Sequence, residues 1–303
     1  MSQLIKNVMI IGAGGNLGPA ILEALDKDAQ FTVSVLSRQS SNSTFPSHIK
    51  VHTISDSYPA EELAEVFKGQ DAIVSTVSIG NNDVQKTMID VAAKAGVKRF
   101  MPAEYGTNGK DLRSTKLLPM YKGKAEIIEY LEAQQSEGVS WTALATGPFF
   151  DWSFKSGVLG FDLASQKATI YDTGNSRWST TTLPTIGTAV ARVLHKPEET
   201  ANKYLLVSSF TPSQNEVLAA LEKHSGKKWH VEHRTSEEAA KTGKEKLGLG
   251  GADYYSGVLD LLVANIFGEN RGSNFEESEQ WANHLLGLPK ETVDEVVARI
   301  VKA

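Results

Sequence analysis

The sequence predicts an α/β protein, a doubly wound parallel sheet followed by a smaller α+β lobe. Three observations carry that prediction. Short apolar runs alternate with helical patterns through the first half of the chain. The runs are continuously apolar, as expected of strands covered on both faces. After about residue 150 the alternation gives way to a mixed pattern of strands and helices.

Taken in order, strands are expected at Asn7–Ile11, Phe31–Leu36, Lys50–Ile54, Ala72–Val77, Arg99–Pro102 and Trp141–Thr146. Helices are expected between them at Leu17–Leu25, Pro59–Phe67, Asn82–Ala95 and Tyr121–Gln134. Further on, "KATIYDTGNSRWSTTTL" reads as a hairpin turning at Asp172-Thr173-Gly174-Asn175. "LPTIGTAVARVLHKP" reads as a helix closed by Pro197, and "KYLLVSS" as a buried strand. Ser213 and Glu216 have capping-box spacing for a helix that stops at Gly226, and the tail from Gly251 is mostly helical. The expected division is a nucleotide-binding domain over 1–150 and a substrate lobe over 151–303. The two would share a cleft, with some elements returning to the first domain.

Composition narrows the function. The 303 residues are 41% apolar and 22% charged, ordinary for a globular chain, and the net charge of −5 gives no basic footprint for nucleic acid. There is no cysteine, which excludes disulfides, thiolate metal sites and a cysteine nucleophile. The apolar run Val8–Ile11 is too short for a signal peptide and no segment approaches a membrane span, so a cytoplasmic protein is expected.

Four glycines stand in seven residues directly after the first strand: Gly12, Gly14, Gly15 and Gly18. Between a strand and a helix, such a loop makes the tight turn, lets a pyrophosphate approach the backbone and permits close packing, as in Rossmann-type folds. Pro19 falls in the first helical turn, where its missing N–H costs nothing. A glycine triplet alone also fits a plain βα turn. The end of the second strand sharpens the reading, because no Asp or Glu occurs between Asp28 and Asp56 to hold a ribose. Arg38 stands there instead, among Ser37, Gln39, Ser40 and Ser41, and a guanidinium fork suits a 2′-phosphate. NADPH is therefore the expected cofactor.

Ligands in doubly wound sheets bind beyond the carboxyl ends of the strands. One such end, "ATGPFFDW", carries Phe149, Phe150, Trp152 and Phe154 behind Pro148. These rings suit either a flat apolar pocket or the core between lobes. None of the eight tyrosines has a lysine four residues on, so Tyr-x-x-x-Lys chemistry is absent. Lys116, Lys122 and Lys124 crowd the region after strand five, and spacing does not distinguish them. His230 and His233 lie on a strand-like stretch where residues three apart face opposite ways, so no metal site is expected.

The segments "IGAGGNLG", "SR", "AGVKRFMPAEYG", "KGKAEIIEYLE" and "GVSWTALATGPFFDW" resemble the isoflavone-reductase-like, NmrA-like branch of atypical short-chain dehydrogenases. "PTIGTAVARVLHKPEETANKYLLVSS" is similar to its fungal members. The resemblance implies NADPH across the glycine loop with Arg38 on the 2′-phosphate. Asn16, Leu17, Thr76, Val77, Ala103, Glu104, Lys124, Pro148 and Phe149 would contribute to the cofactor site. The family's Pro-Ser-Glu-Phe-Gly motif stands here as Pro102-Ala103-Glu104-Tyr105-Gly106. Its catalytic lysine aligns with Lys124, which would act as general acid-base on the oxygen of a small aromatic or conjugated substrate. Tyr105, Phe149, Phe150, Trp152 and Phe154 would line the substrate pocket. Two departures stand out: Ala103 replaces a serine, and Gly14 replaces the loop's usual threonine. The family is functionally mixed, so the alternative is a non-redox protein. That would be a cofactor-sensing regulator with a protein partner, or a biosynthetic enzyme keeping NADP as scaffold.

Overall fold

The computed structural model describes residues 4–77, 80–135 and 138–302. The chain runs β1 (Asn7–Ile11), α1 (Gly18–Asp26), β2 (Thr32–Arg38), β3 (Lys50–Ile54), α2 (Ala60–Phe67), β4 (Ala72–Ser75), α3 (Asn82–Lys94) and β5 (Arg99–Met101). There follow α4 (Leu112–Leu117), α5 (Lys122–Ala133), β6 (Ser140–Ala145), α6 (Phe150–Ser156), β7 (Phe161–Asp162) and β8 (Lys167–Tyr171). The remainder comprises α7 (Leu183–His195), β9 (Lys203–Leu206), α8 (Gln214–Ser225), β10 (His230–Arg234), α9 (Ser236–Leu247), α10 (Gly251–Phe267), α11 (Asn283–Leu286) and α12 (Val293–Lys302).

Seven strands form one parallel sheet in the order β3-β2-β1-β4-β5-β6-β9. The order reverses between β1 and β4, which makes that crevice the place where such sheets bind ligands. Within the apolar strands, the period of two sorts residues between two cores. Val8 and Ile10 of β1 join Ile21 and Leu25 of α1 and Ile186 and Val190 of α7 on one face. Met9 and Ile11 join Phe67 of α2, Met88 of α3 and Ile128 of α5 on the other. Thus α7 and β9, although they lie beyond residue 150, belong to this sheet and its cover.

Arg99 shows how firmly β9's approach is tied in. It is 2% exposed, and its guanidinium donates to Ser140 Oγ (2.8 Å), Thr142 Oγ1 (2.6 Å) and Thr200 Oγ1 (2.9 Å). Those partners lie on β6 and on the turn before β9, and with no carboxylate among them burial lowers its pKa to about 10.

A third core fills the C-terminal lobe, where a three-stranded sheet ordered β10-β8-β7 packs with α8, α9, α10 and α12. Here the expected hairpin at Asp172–Asn175 is corrected. The turn exists, with Gly174 N donating to Tyr171 O, but β8 pairs in parallel with β10 and antiparallel with β7. The chain after the turn leaves the sheet because the Trp178 side chain is drawn into the core, against Phe150 and Phe267, while the main-chain N–H of Trp178 donates to Pro212 O. Side-chain packing outweighs the local hairpin pattern. The capping box at Ser213 and Glu216 is present, and α8 ends at Gly226 in the left-handed conformation. No helix among the described residues is long and apolar enough to cross a membrane.

Candidate active site

A cleft of about 670 Å³ opens at the switch point, and the glycine loop forms its floor. Gly12 has φ +85°, a region L side chains rarely adopt, and a Cβ there would also lie 2.6 Å from Thr76 Oγ1. Gly18 serves a different end: a Cβ on it would come within 2.5 Å of the Ala13 backbone, so α1 can start only because that side chain is missing. Gly14, Gly15, Asn16 and Leu17 line the cleft between these two positions. The N-terminus of α1 has no side-chain cap and no acid in its first turn, which leaves a positive dipole end toward the cleft.

The far wall comes from the ends of β2 and β3. Arg38, Ser37, Ser41, Ser43 and Phe45 line it, and so do Asp56 and Tyr58. Asp56 was missed by inspection of the end of strand two alone. It follows β3, the neighbouring edge strand, and its carboxylate accepts from Ser40 N (3.0 Å). Hydrogen bonds from Ser40, with the Arg38 charge nearby, hold its pKa below the usual carboxylate value. The strand-end rule applied to "ISDSY" as well would have found both Asp56 and Tyr58.

The near wall carries Thr76, Val77, Asn81, Val84, Ala103, Tyr105, Tyr121, Lys124 and Phe149. Lys124 sits in the first turn of α5, which Asn82 of α3 anchors by donating to Gly123 O (3.0 Å). It is buried, its Nζ donates to the main-chain carbonyl of Glu104, and it lies 4.9 Å from the centre of the Tyr121 ring. Behind it, Glu104 is 2% exposed and accepts from Tyr204 OH at 2.7 Å, while that same phenol accepts from Gly109 N at 2.8 Å. Burial pushes the Glu104 carboxyl up, against the pull of the Lys124 charge. The Tyr105 hydroxyl is enclosed and has no hydrogen-bond partner among the described residues, and burial raises its pKa.

Of the residues expected at a site, the cleft gathers Gly12, Gly14, Gly15, Asn16, Leu17, Arg38, Thr76, Val77, Ala103, Tyr105, Lys124 and Phe149. Gly18 and Glu104 stand behind its wall in the roles just described. Pro148 is placed behind it too, its carbonyl accepting from Thr180 Oγ1 (2.7 Å) and Thr181 N (3.1 Å). Trp152, partly buried on α6, does not line it. Phe150 and Phe154 face the lobe core: their rings meet at 4.9 Å and Phe150 packs edge-on to Phe210 at 4.8 Å. They share one face of α6 by their four-residue spacing, and that face is turned away from the cleft.

A switch-point cleft with a glycine loop before α1 and a buried lysine opposite defines a Rossmann-type α/β protein. Comparison with known proteins extends this. Residues 5–246 match the model of the NmrA-like family. Oxidoreductase aprR of Aspergillus flavus is 46% identical over 296 residues, covering 97% of this chain and 98% of that one. Oxidoreductase poxI of Penicillium oxalicum is 34% identical, covering 96% and 92%. Among solved structures, the binary complex of leucoanthocyanidin reductase with NADPH from Vitis vinifera superposes with a TM-score of 0.80 at 20% identity, covering 98% of this chain and 100% of that one. The chain belongs to the NmrA-like family. Its full-length likeness to fungal oxidoreductases makes it an enzyme of that kind.

Proposed function

We propose that this protein is an NADPH-dependent reductase of a small aromatic or conjugated substrate. One observation carries the reading: the glycine loop, Arg38 and Lys124, remote in sequence, line the same cleft. The residues present fit a dinucleotide phosphate. Gly14 and Gly15 keep the loop free of side chains beside an uncapped helix N-terminus, and Arg38 with Ser41 offers donors suited to a 2′-phosphate. The leucoanthocyanidin reductase complex, which holds NADPH, supports the same assignment by likeness of fold.

When bound, the dihydronicotinamide supplies a hydride. The chain supplies the rest. Lys124 Nζ holds a proton within the cleft wall and delivers it to the substrate oxygen, with the Glu104 carbonyl and the Tyr121 ring fixing where that nitrogen stands. Tyr105, Tyr121 and Phe149 present flat apolar surface that excludes water and suits an aromatic substrate. In this reading residues 1–150 carry the dinucleotide and supply the residues that line the cleft. The test is NADPH oxidation, followed by nicotinamide absorbance, across a panel of aromatic carbonyl and enol compounds. Wild type should consume NADPH with some of the panel and Lys124→Ala should not. A wild type that binds NADPH yet consumes none with any compound would sink the reductase reading in favour of a non-redox role.

A further inference from the structure

Gly14 is unlike Gly12. Its backbone is not in the left-handed region, so its conformation would admit other residues. What excludes them is Ser43: a Cβ on Gly14 would lie 2.1 Å from Ser43 Oγ and 2.6 Å from Ser43 Cβ. The segment after β2 therefore crosses the cleft and sets a hydroxyl directly upon the glycine loop.

That crossing is anchored along its length. Gln39 N donates to Ile54 O (2.9 Å), Ser40 N to Asp56 Oδ1 (3.0 Å) and Ser41 N to Arg38 O (3.1 Å). Ser43 N donates to Ser41 Oγ (3.3 Å), and Phe45 packs against the core beneath the sheet. The nearby carboxylate of Asp56 is thus occupied in holding Ser40. Arg38, Ser41 and Ser43 line the same wall of the cleft.

We infer that Ser43 is a phosphate-binding residue of this cleft, donating its hydroxyl to a dinucleotide phosphate, and that position 14 is glycine in order to admit it. The inference rests on the NADPH reading above and deepens it. Ser43 lies against the glycine loop and shares a cleft wall with Arg38, so the oxygen it meets belongs to the pyrophosphate or the 2′-phosphate, two sources of one chemistry.

Equilibrium binding of NADPH and of NADH, read by ligand fluorescence with a thermal melt of each variant, tests it. Ser43 is exposed, so Ser43→Ala keeps the fold, and its NADPH Kd should rise roughly five- to tenfold. Unchanged NADH affinity in that variant assigns the contact to the 2′-phosphate, and an equal loss assigns it to the pyrophosphate. Gly14→Thr should displace the crossing and weaken NADPH about tenfold or more, and adding Ser43→Gly should recover part of that loss by opening the space. A wild type that binds NADPH while Ser43→Ala binds it equally well overturns the inference alone. A wild type that binds neither dinucleotide overturns the NADPH reading and the inference with it.

Discussion

Two glutamates withdrawn from solvent, Glu104 behind the cleft and Glu291 beside the N-terminus of α7, are held in opposite ways. Glu291 Oε2 accepts from Thr182 Oγ1 (2.8 Å), Thr185 Oγ1 (2.8 Å) and Ser209 Oγ (2.6 Å), and Oε1 accepts from Arg299 (2.7 Å). Burial alone would raise its pKa, but these four donors hold it below the ordinary value of 4.5. Glu104 has one side-chain donor, Tyr204, and burial keeps its pKa above that value despite the Lys124 charge. The charged form is thus favoured in one region and resisted in the other. The contrast separates a carboxylate that fastens the fold from one behind the cleft wall, and under the proposed mechanism tight neutralisation of Lys124 would hinder its proton transfer.

The contrast breaks hardest at Lys124. Lys124→Ala should lower kcat by roughly 10²–10⁴ while NADPH affinity stays within about threefold, as single-turnover kinetics and binding titration together would show. Loss of affinity without loss of kcat would make the lysine a binding residue only. At the opposite pole, Glu291→Ala strands three hydroxyls and Arg299, and should cost about 2–4 kcal/mol in urea unfolding with NADPH affinity intact. A midpoint that does not move would show that these bonds add nothing net. Arg38→Ala comes next: the preference for NADPH over NADH should fall by roughly 10–100-fold, and an unchanged ratio of Kd values would remove Arg38 from the 2′-phosphate.

The smallest effect is the most discriminating. Glu104→Gln should shift stability at neutral pH by about 1 kcal/mol or less, since the amide oxygen can still accept from Tyr204. The pH dependences differ in sign. With its folded pKa lowered, Glu291 contributes stability above 4.5 that is lost as pH falls through the folded value. With its folded pKa raised, Glu104 contributes most below 4.5 and loses that contribution as pH rises through the folded value. Urea melts between about pH 3.5 and 7 should therefore show Glu291→Gln and Glu104→Gln flattening opposite slopes. Slopes of the same sign would erase the distinction.

Much of the sheet was legible in the residues. The six strands expected in the first half are all present, and Asn7–Ile11 and Lys50–Ile54 coincide with β1 and β3. Most of those runs are short and largely apolar, the edge strand Lys50–Ile54 being the mixed exception, and glycine and proline punctuate them. The glycine loop and Arg38 were legible because their chemistry is local: each follows a strand end. Lys124 was singled out by resemblance, and the cleft now gives it surroundings that Lys116 and Lys122 lack, since neither lines it. The aromatic run after Gly147 could not be resolved that way. Phe149 precedes α6 and stays at the cleft, whereas Phe150 and Phe154 rotate into the core with the helix.

Residue pattern alone specifies the kind of fold, the strand ends at which a ligand would bind and the residue types present there. Local pattern suffices for these, because hydrogen-bonded strands and helices are written in short-range periodicity. What depends on distant segments meeting came from packing in three dimensions. It set Trp178 in the core and so abolished the expected hairpin, gave Glu291 donors more than eighty residues away, and placed Ser43 upon Gly14. In each case packing between segments chose among options that local chemistry left equal.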